Sequence, residues 1–207
     1  MKILIIGDFH GKFPAKLKNK IKKENIDLIV SLGDYPPFHY RKSWFKHCYK
    51  REVGLWEIIG KRKYRKLIME DMKRAEKVLK KLNKLPLPVY TVLGNIDYPL
   101  PDDVADFKEK KKKSMPNWDK KTILVDRLKK YKNIKRFDYS YFKFKDYVFI
   151  GMRGHSSTGK VKSKAYRKHK KKLDSLFKRF KKEKIIFVSH NVTYNTKLDK
   201  VTSKEAD

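Results

Sequence analysis

Residues 2–11 read KILIIGDFHG, and the fold follows from this stretch. Its apolar run, rich in Ile and Leu, fits a strand of a parallel sheet buried on both faces. Gly7 ends the run, and Asp8 and His10 follow two positions apart. In extended backbone such positions share a face, so a carboxylate and an imidazole are expected side by side at the strand end. Open α/β sheets place their sites just beyond the carboxyl ends of their strands. Three further stretches repeat the pattern. DLIVS at 27–31 runs into Leu32-Gly33-Asp34, PVYTVL at 88–93 into Gly94-Asn95-Ile96-Asp97, and KIIFVS at 184–189 into His190-Asn191. Together Asp8, His10, Asp34, Asn95 and His190 offer two carboxylates, two imidazoles and an amide oxygen. That donor mix suits two divalent ions of borderline softness with one carboxylate shared between them.

The ordered set DFH, GD, GN and SHN, each at an expected strand end, resembles the calcineurin-like metallophosphoesterase superfamily. That pattern runs D-x-H, G-D, G-N-H-[DE], H and then G-H-x-H, and the likeness spans residues 2–191. The resemblance implies an α/β fold, a four-layer α/β/β/α sandwich, as one domain over residues 1–207. It implies two divalent metal ions (Mn, Fe, Ni or Zn). Asp8 and His10 would hold the first, Asp34 would bridge, and Asn95 and His190 would hold the second. A hydroxide shared by the two ions would attack the phosphorus of a phosphate ester, with Asn95 also orienting the phosphate. Two departures matter. Ile96 stands where the family has a His that is often assigned as the leaving-group acid; His39 and His155 are the candidates to replace it. Subgroups reading G-N-C-D also lack that His and are phosphodiesterases, so the resemblance points to that branch. No G-H-x-H follows His190, because the residues beyond it hold no histidine; the C-terminal part of the sandwich is expected to lie in a longer chain.

Composition sets outer bounds. A chain of 207 residues with 40% apolar and 13% aromatic residues fits one globular domain with a sizeable core. The single cysteine, Cys48, excludes a disulfide within the chain and fits a reducing compartment. The chain opens directly on its first expected strand, and no apolar run approaches the roughly 20 residues of a membrane helix. A cytoplasmic protein without membrane contact is therefore expected. The net charge is +32, a surface that attracts polyanions such as nucleic acid through counterion release. Abundant Lys, one Cys and no Gln also fit a heat-adapted, thermophilic surface.

Along the chain, Phe13-Pro14 is expected to open a first helix with the stripe Phe13, Leu17 and Ile21. About 60 residues separate Gly33-Asp34 from Gly94-Asn95, roughly twice what one crossover helix needs. The excess is read as a lid-like insertion at 35–60, followed by a helix whose buried face is Tyr64, Leu67, Ile68, Met72, Ala75, Val78, Leu79 and Leu82. The insertion interleaves Trp44, Phe45, Tyr49 and Trp56 with Arg41, Lys42, Lys46, Lys50 and Arg51, a pattern able to stack bases and contact phosphates but read first as a small lid or dimer patch covering its own apolar surface. A short helix is expected near 119–130, a hairpin about Lys145-Asp146, and a last helix carrying Tyr166, His169, Leu173, Leu176, Phe177 and Phe180. His169 is read as core or surface of that helix. Residues 151–159, GMRGHSSTG, are glycine-rich without the spacing of a P-loop. These readings converge on a metal-dependent phosphodiesterase acting on a phosphate ester. The alternatives are a nuclease using the same site and a non-catalytic scaffold of the same fold.

Overall fold

The structure, a computed structural model, describes residues 1–49, 51, 53–97, 109–154 and 164–191. Strands β1 (Ile3–Ile6), β2 (Leu28–Ser31), β3 (Val89–Thr91) and β4 (Ile134–Arg136) form a parallel sheet in the order β1-β2-β3-β4. Strands β5 (Tyr141–Phe144), β6 (Tyr147–Met152) and β7 (Lys184–Ser189) form a second sheet. There β5 and β6 are an antiparallel hairpin and β7 runs parallel to β6. Helix α1 (Leu17–Lys23) links β1 to β2. The next link holds α2 (Arg41–His47), α3 (Leu55–Ile59) and the long α4 (Lys61–Leu82). Helices α5 (Glu109–Ser114) and α6 (Ile123–Leu128), with a 3-10 turn at Asn117–Lys120 between them, precede β4; α7 (Lys164–Arg179) lies between β6 and β7.

Alternation along the strands builds the layers. On β2, Leu28 and Val30 face the second sheet and pack with Phe149 and Val188, while Ile29 packs on the other face with Ile68, Met72 and Leu79 of α4. On β6, Phe149 joins the cluster between the sheets, while Val148 and Ile150 pack with Phe180, Leu173 and Leu176 on the outer side. The order is therefore helices, sheet, sheet, helix: the α/β/β/α sandwich.

The expectation of a strand buried on both faces holds for β2, which is buried at every position, and fails for β1. Among the described residues β1 lies at the edge of its sheet, and Ile5 is 63% exposed. An apolar run reports what the strand is made of; its place in the sheet decides what is covered. Helix α1 starts at Leu17, after a turn closed by the Leu17 amide donating to the Pro14 carbonyl. Pro14 is therefore ahead of the helix and not in its first turn. Phe13, Leu17 and Ile21 nevertheless pack on the helix-side core. The expected helix near 119–130 is the 3-10 turn followed by α6. In α4 the stripe forms with two differences: Leu67 is only half-buried, and Asp71 is buried within the stripe, 1% exposed. From residues 35–60, Tyr35, Cys48, Leu55 and Trp56 are buried in the same cluster as α4, whereas α2 buries none of its residues. His169 is buried on α7, its ring stacked on Tyr139 at 4.0 Å.

Candidate metal centre

Parallel pairing does not stop where β1 and β2 end. The Leu32 amide donates to the Ile6 carbonyl at 2.7 Å, Asp8 to Gly33 at 3.1 Å, His10 to Asp34 at 3.0 Å and Gly11 to Tyr35 at 2.8 Å. The D-x-H loop is thus zipped onto the G-D loop. To stay zipped, the chain turns through left-handed backbone at Asp8 (φ 49°), His10 (φ 44°) and Asp34 (φ 56°). Side chains adopt such φ values rarely, and runs of them mark functional sites held by their surroundings. The sequence reading placed Asp8 and His10 side by side through extended backbone. They do lie side by side, with His10 Nε2 3.8 Å from Asp8 Oδ1, but the left-handed turn is what brings them together.

The G-N loop is locked to the G-D loop by two carboxylates working in opposite directions. Asp97 is buried and accepts amide hydrogens from Asp34 at 2.7 Å, Tyr35 at 2.7 Å and Gly94 at 2.6 Å. Asp34 answers by accepting the Ile96 amide at 3.0 Å. Two glycines allow this approach: a Cβ on Gly33 would lie 2.2 Å from the Gly94 nitrogen, and one on Gly94 would lie 2.0 Å from Asp34 Oδ1. Below them Tyr35 is fully buried, its hydroxyl 2.7 Å from Thr91 Oγ1 and 3.0 Å from Ser31 Oγ. Burial pushes the Tyr35 hydroxyl well above its ordinary range.

From the second sheet, β7 delivers His190. The Leu32 carbonyl lies 2.8 Å from His190 Nδ1. A carbonyl only accepts, so Nδ1 carries a proton, and in the neutral ring Nε2 keeps its lone pair. That nitrogen is 3.6 Å from Asp34 Oδ2. Asp8, Asp34 and His190 each present a ligand atom within 4.8 Å of the other two. Asn95 sits next to His190 across Gly154, where a Cβ would lie 2.6 Å from the Asn95 nitrogen and 2.7 Å from His190 Cδ2.

The donor set fits a divalent cation. It combines carboxylate oxygens with an imidazole whose tautomer is fixed by a carbonyl, the arrangement that orients a metal-binding histidine. Electrostatics agree. Burial raises the Asp34 carboxyl above the usual carboxylate range, against the Ile96 hydrogen bond and the His190 ring, which lower it. Burial, with Asp34 nearby, raises Asp97 to about 7. Two buried carboxylates this close favour a cation between the loops.

Of the residues singled out in the sequence, Asp8, Asp34 and His190 converge, His10 lies beside Asp8, and Asn95 beside His190. His39 is bound to a residue outside that group: its backbone amide donates to Asp71 Oδ2 at 3.2 Å and its Nδ1 is hydrogen-bonded to Asp71 Oδ1. His155 lies outside the described residues. Sequence reasoning passed over Asp97, although it stands within the quoted GNID, and Asp71, whose signal was a carboxylate on the apolar stripe of α4.

The calcineurin-like phosphoesterase profile matches residues 1–206. No curated protein matches the chain. One solved structure is similar with a TM-score of 0.56 at 16% identity, covering 90% of this chain and 67% of the other. The crystal structure of TT1561 of Thermus thermophilus is similar with a TM-score of 0.50 at 15% identity, covering 95% of this chain and 70% of that one. At these identities the structural likeness bears on the fold alone.

Proposed function

The chain belongs to the calcineurin-like phosphoesterase family of metal-dependent hydrolases of phosphoric esters, and on that premise we propose that it is a phosphodiesterase working with two divalent ions. Asp8 and His10 would hold one ion, Asn95 and His190 the other, and Asp34 would be shared. The observation that carries this reading is the convergence of Asp8, Asp34 and His190, with the Nε2 lone pair of His190 turned toward Asp34.

Bound divalent ions supply Lewis acidity: they lower the pKa of water and neutralise phosphoryl oxygens. The rest falls to the chain. The Leu32 carbonyl and the Asp97 clamp fix His190 and Asp34 before substrate arrives, so little reorganisation is left for the reaction. The Asn95 amide orients the phosphate. Ile96 is committed through its backbone amide to Asp34, and its hydrocarbon side chain has no proton to give a leaving group.

Asp34→Asn tests the reading, since it keeps shape and removes charge. With Mn²⁺ added, the wild type should hydrolyse bis(4-nitrophenyl) phosphate in preference to 4-nitrophenyl phosphate, and the variant should lose turnover. A variant retaining near-full activity, or a wild type that prefers the monoester, overturns it.

A second reading, nuclease action at the same site, draws on the surface. The net charge is +32, and the α2 segment exposes Phe45 (44%) and Tyr49 (40%) among its cations, with the Arg41 guanidinium 5.4 Å from the Phe45 ring. Cations beside accessible rings suit single-stranded nucleic acid. Affinity for an oligonucleotide should then fall by orders of magnitude between about 50 and 200 mM salt. No binding at low salt ends this reading. Among the described residues, no helix is long and apolar enough to cross a membrane.

A further inference from the structure

Helix α4 carries one carboxylate, Asp71, on its buried face, 1% exposed among Ile68, Met72 and Ala75. A buried carboxylate is costly unless its oxygens are used. Both are: Oδ2 accepts the His39 backbone amide at 3.2 Å, and Oδ1 is hydrogen-bonded to His39 Nδ1. The His39 side chain remains 44% exposed. One edge of an imidazole is thus anchored to a buried acid and the other left accessible, the arrangement by which a carboxylate sets the tautomer and aim of a histidine that moves protons.

The segments that carry the pair pack on the loop of the candidate centre. His39 lies two residues beyond Pro37, and Pro37 packs on the loop of His10: a Cβ on Gly11 would lie 3.2 Å from Pro37 Cβ and 3.3 Å from Arg74 Cβ. Arg74 is three residues after Asp71 on α4, so Asp71 lies one turn away on the same wall. The Gly11 amide is bonded to the Tyr35 carbonyl at 2.8 Å, which fixes the start of the segment leading to His39.

Building on the phosphodiesterase reading, we propose that His39 is the acid that protonates the leaving group and that Asp71 is its positioning residue. In its protonated form the ring gives Nδ1–H to Asp71 and carries a proton on Nε2. As the bond from phosphorus to the leaving oxygen breaks, that oxygen takes the bond's electron pair and the Nε2 proton, and departs as a neutral alcohol or phenol. The ring is left neutral with Nδ1–H still on Asp71, and solvent returns the Nε2 proton before the next turnover.

The test is leaving-group dependence. A 4-nitrophenolate leaves without help; phenolate and alkoxide leave poorly unless protonated. His39→Gln should lower kcat about 100-fold or more on a phenyl phosphodiester, and less than about threefold on bis(4-nitrophenyl) phosphate. Asp71→Asn should reproduce that selectivity, with circular dichroism and melting curves reporting whether the fold is kept. Equal losses on both substrates make His39 and Asp71 structural and overturn the proposal, as does no loss on either. If a His39→Gln variant behaves as predicted but folded Asp71→Asn does not, the positioning role falls. A wild type inactive on both diesters removes the phosphodiesterase reading itself, and the acid with it. An active wild type with unselective variants removes only the acid.

Discussion

Gly94→Ala is the sharpest perturbation the centre allows. A Cβ at residue 94 would sit 2.0 Å from Asp34 Oδ1, 2.6 Å from its Cγ and 2.7 Å from its backbone nitrogen. Real Cβ contacts start near 3.0 Å, so Asp34 or the G-N loop must retreat by about 1 Å. The retreat has no easy direction. Asp34 is tied through Oδ1 to the Ile96 amide, and the backbone of both loops is tied to Asp97. Metal–ligand distances tolerate only about 0.2 Å, and a misplacement of about 1 Å at a reacting centre costs about 100-fold in rate. The expected result is a fall of at least about 100-fold in kcat/KM on bis(4-nitrophenyl) phosphate, with a matching loss of Mn²⁺ affinity by calorimetric titration. Overpacking should cost about 1–3 kcal/mol of stability, so circular dichroism must first establish the fold. Gly60→Ala is the control: Gly60 has φ 81° but nothing within 4 Å of the added carbon. It should lose about 1–3 kcal/mol from backbone strain and keep its turnover. If Gly94→Ala binds Mn²⁺ and turns over within threefold of wild type, the tight approach of the two loops is not what builds the centre.

Asp97→Asn replaces one carboxylate oxygen with an amide that donates toward backbone donors, so at least one of three buried amides loses its acceptor; the expected cost is about 1–3 kcal/mol in urea unfolding, with Mn²⁺ affinity falling alongside. Leu79→Ala, at a position 0% exposed in the helix-side core, should cost about 2–5 kcal/mol by the same measurement, and a loss under about 1 kcal/mol would mean that α4 does not anchor the sheet. Asp27 accepts the Lys2 amide at 2.7 Å and pairs with Lys145 of the β5–β6 turn at 3.0 Å, joining the two sheets, and the Lys2 and Lys145 hydrogen bonds hold its carboxyl below the usual range. A lowered folded value means that its stabilisation is present above the unfolded pKa of about 4 and disappears as pH falls through the folded value; Asp27→Asn should therefore flatten the acid limb of melting temperature against pH, and an unchanged limb would deny Asp27 that role.

What was legible in the sequence was whatever is written in short range. Strand ends carrying Asp8, Asp34, Asn95 and His190 were read from apolar runs closed by glycine or serine, and the buried stripe of α4 was read from its helical spacing. What was not legible depends on long-range partners. Edge position left Ile5 exposed, although its run reads as core. Asp71 looks like a misplaced charge on an apolar stripe until His39, from another segment, is set against it. Asp97 looks like the tail of a motif until three amides from two loops are seen converging on it. Left-handed backbone at Asp8, His10 and Asp34 had no local signal, because none is a glycine.

These non-glycine turns and the glycines beside them divide one task. Gly33 and Gly94 lack side chains because the two loops touch there, while Asp8, His10 and Asp34 keep side chains in backbone that normally disfavours them, and these are the side chains proposed as ligands. Left-handed backbone at a non-glycine residue costs on the order of 1–3 kcal/mol. Here it is offset by hydrogen bonds from the zipped loops and by the buried clamp of Asp97, all made by the protein itself. The loops of the candidate centre are therefore set by the fold and do not depend on an ion to shape them. Metal binding should accordingly proceed with little change in far-UV circular dichroism or in protection of the Asp34, Tyr35 and Gly94 amides from hydrogen exchange. Large gains in protection on adding Mn²⁺ would show instead that the ion, and not Asp97, draws the two loops together.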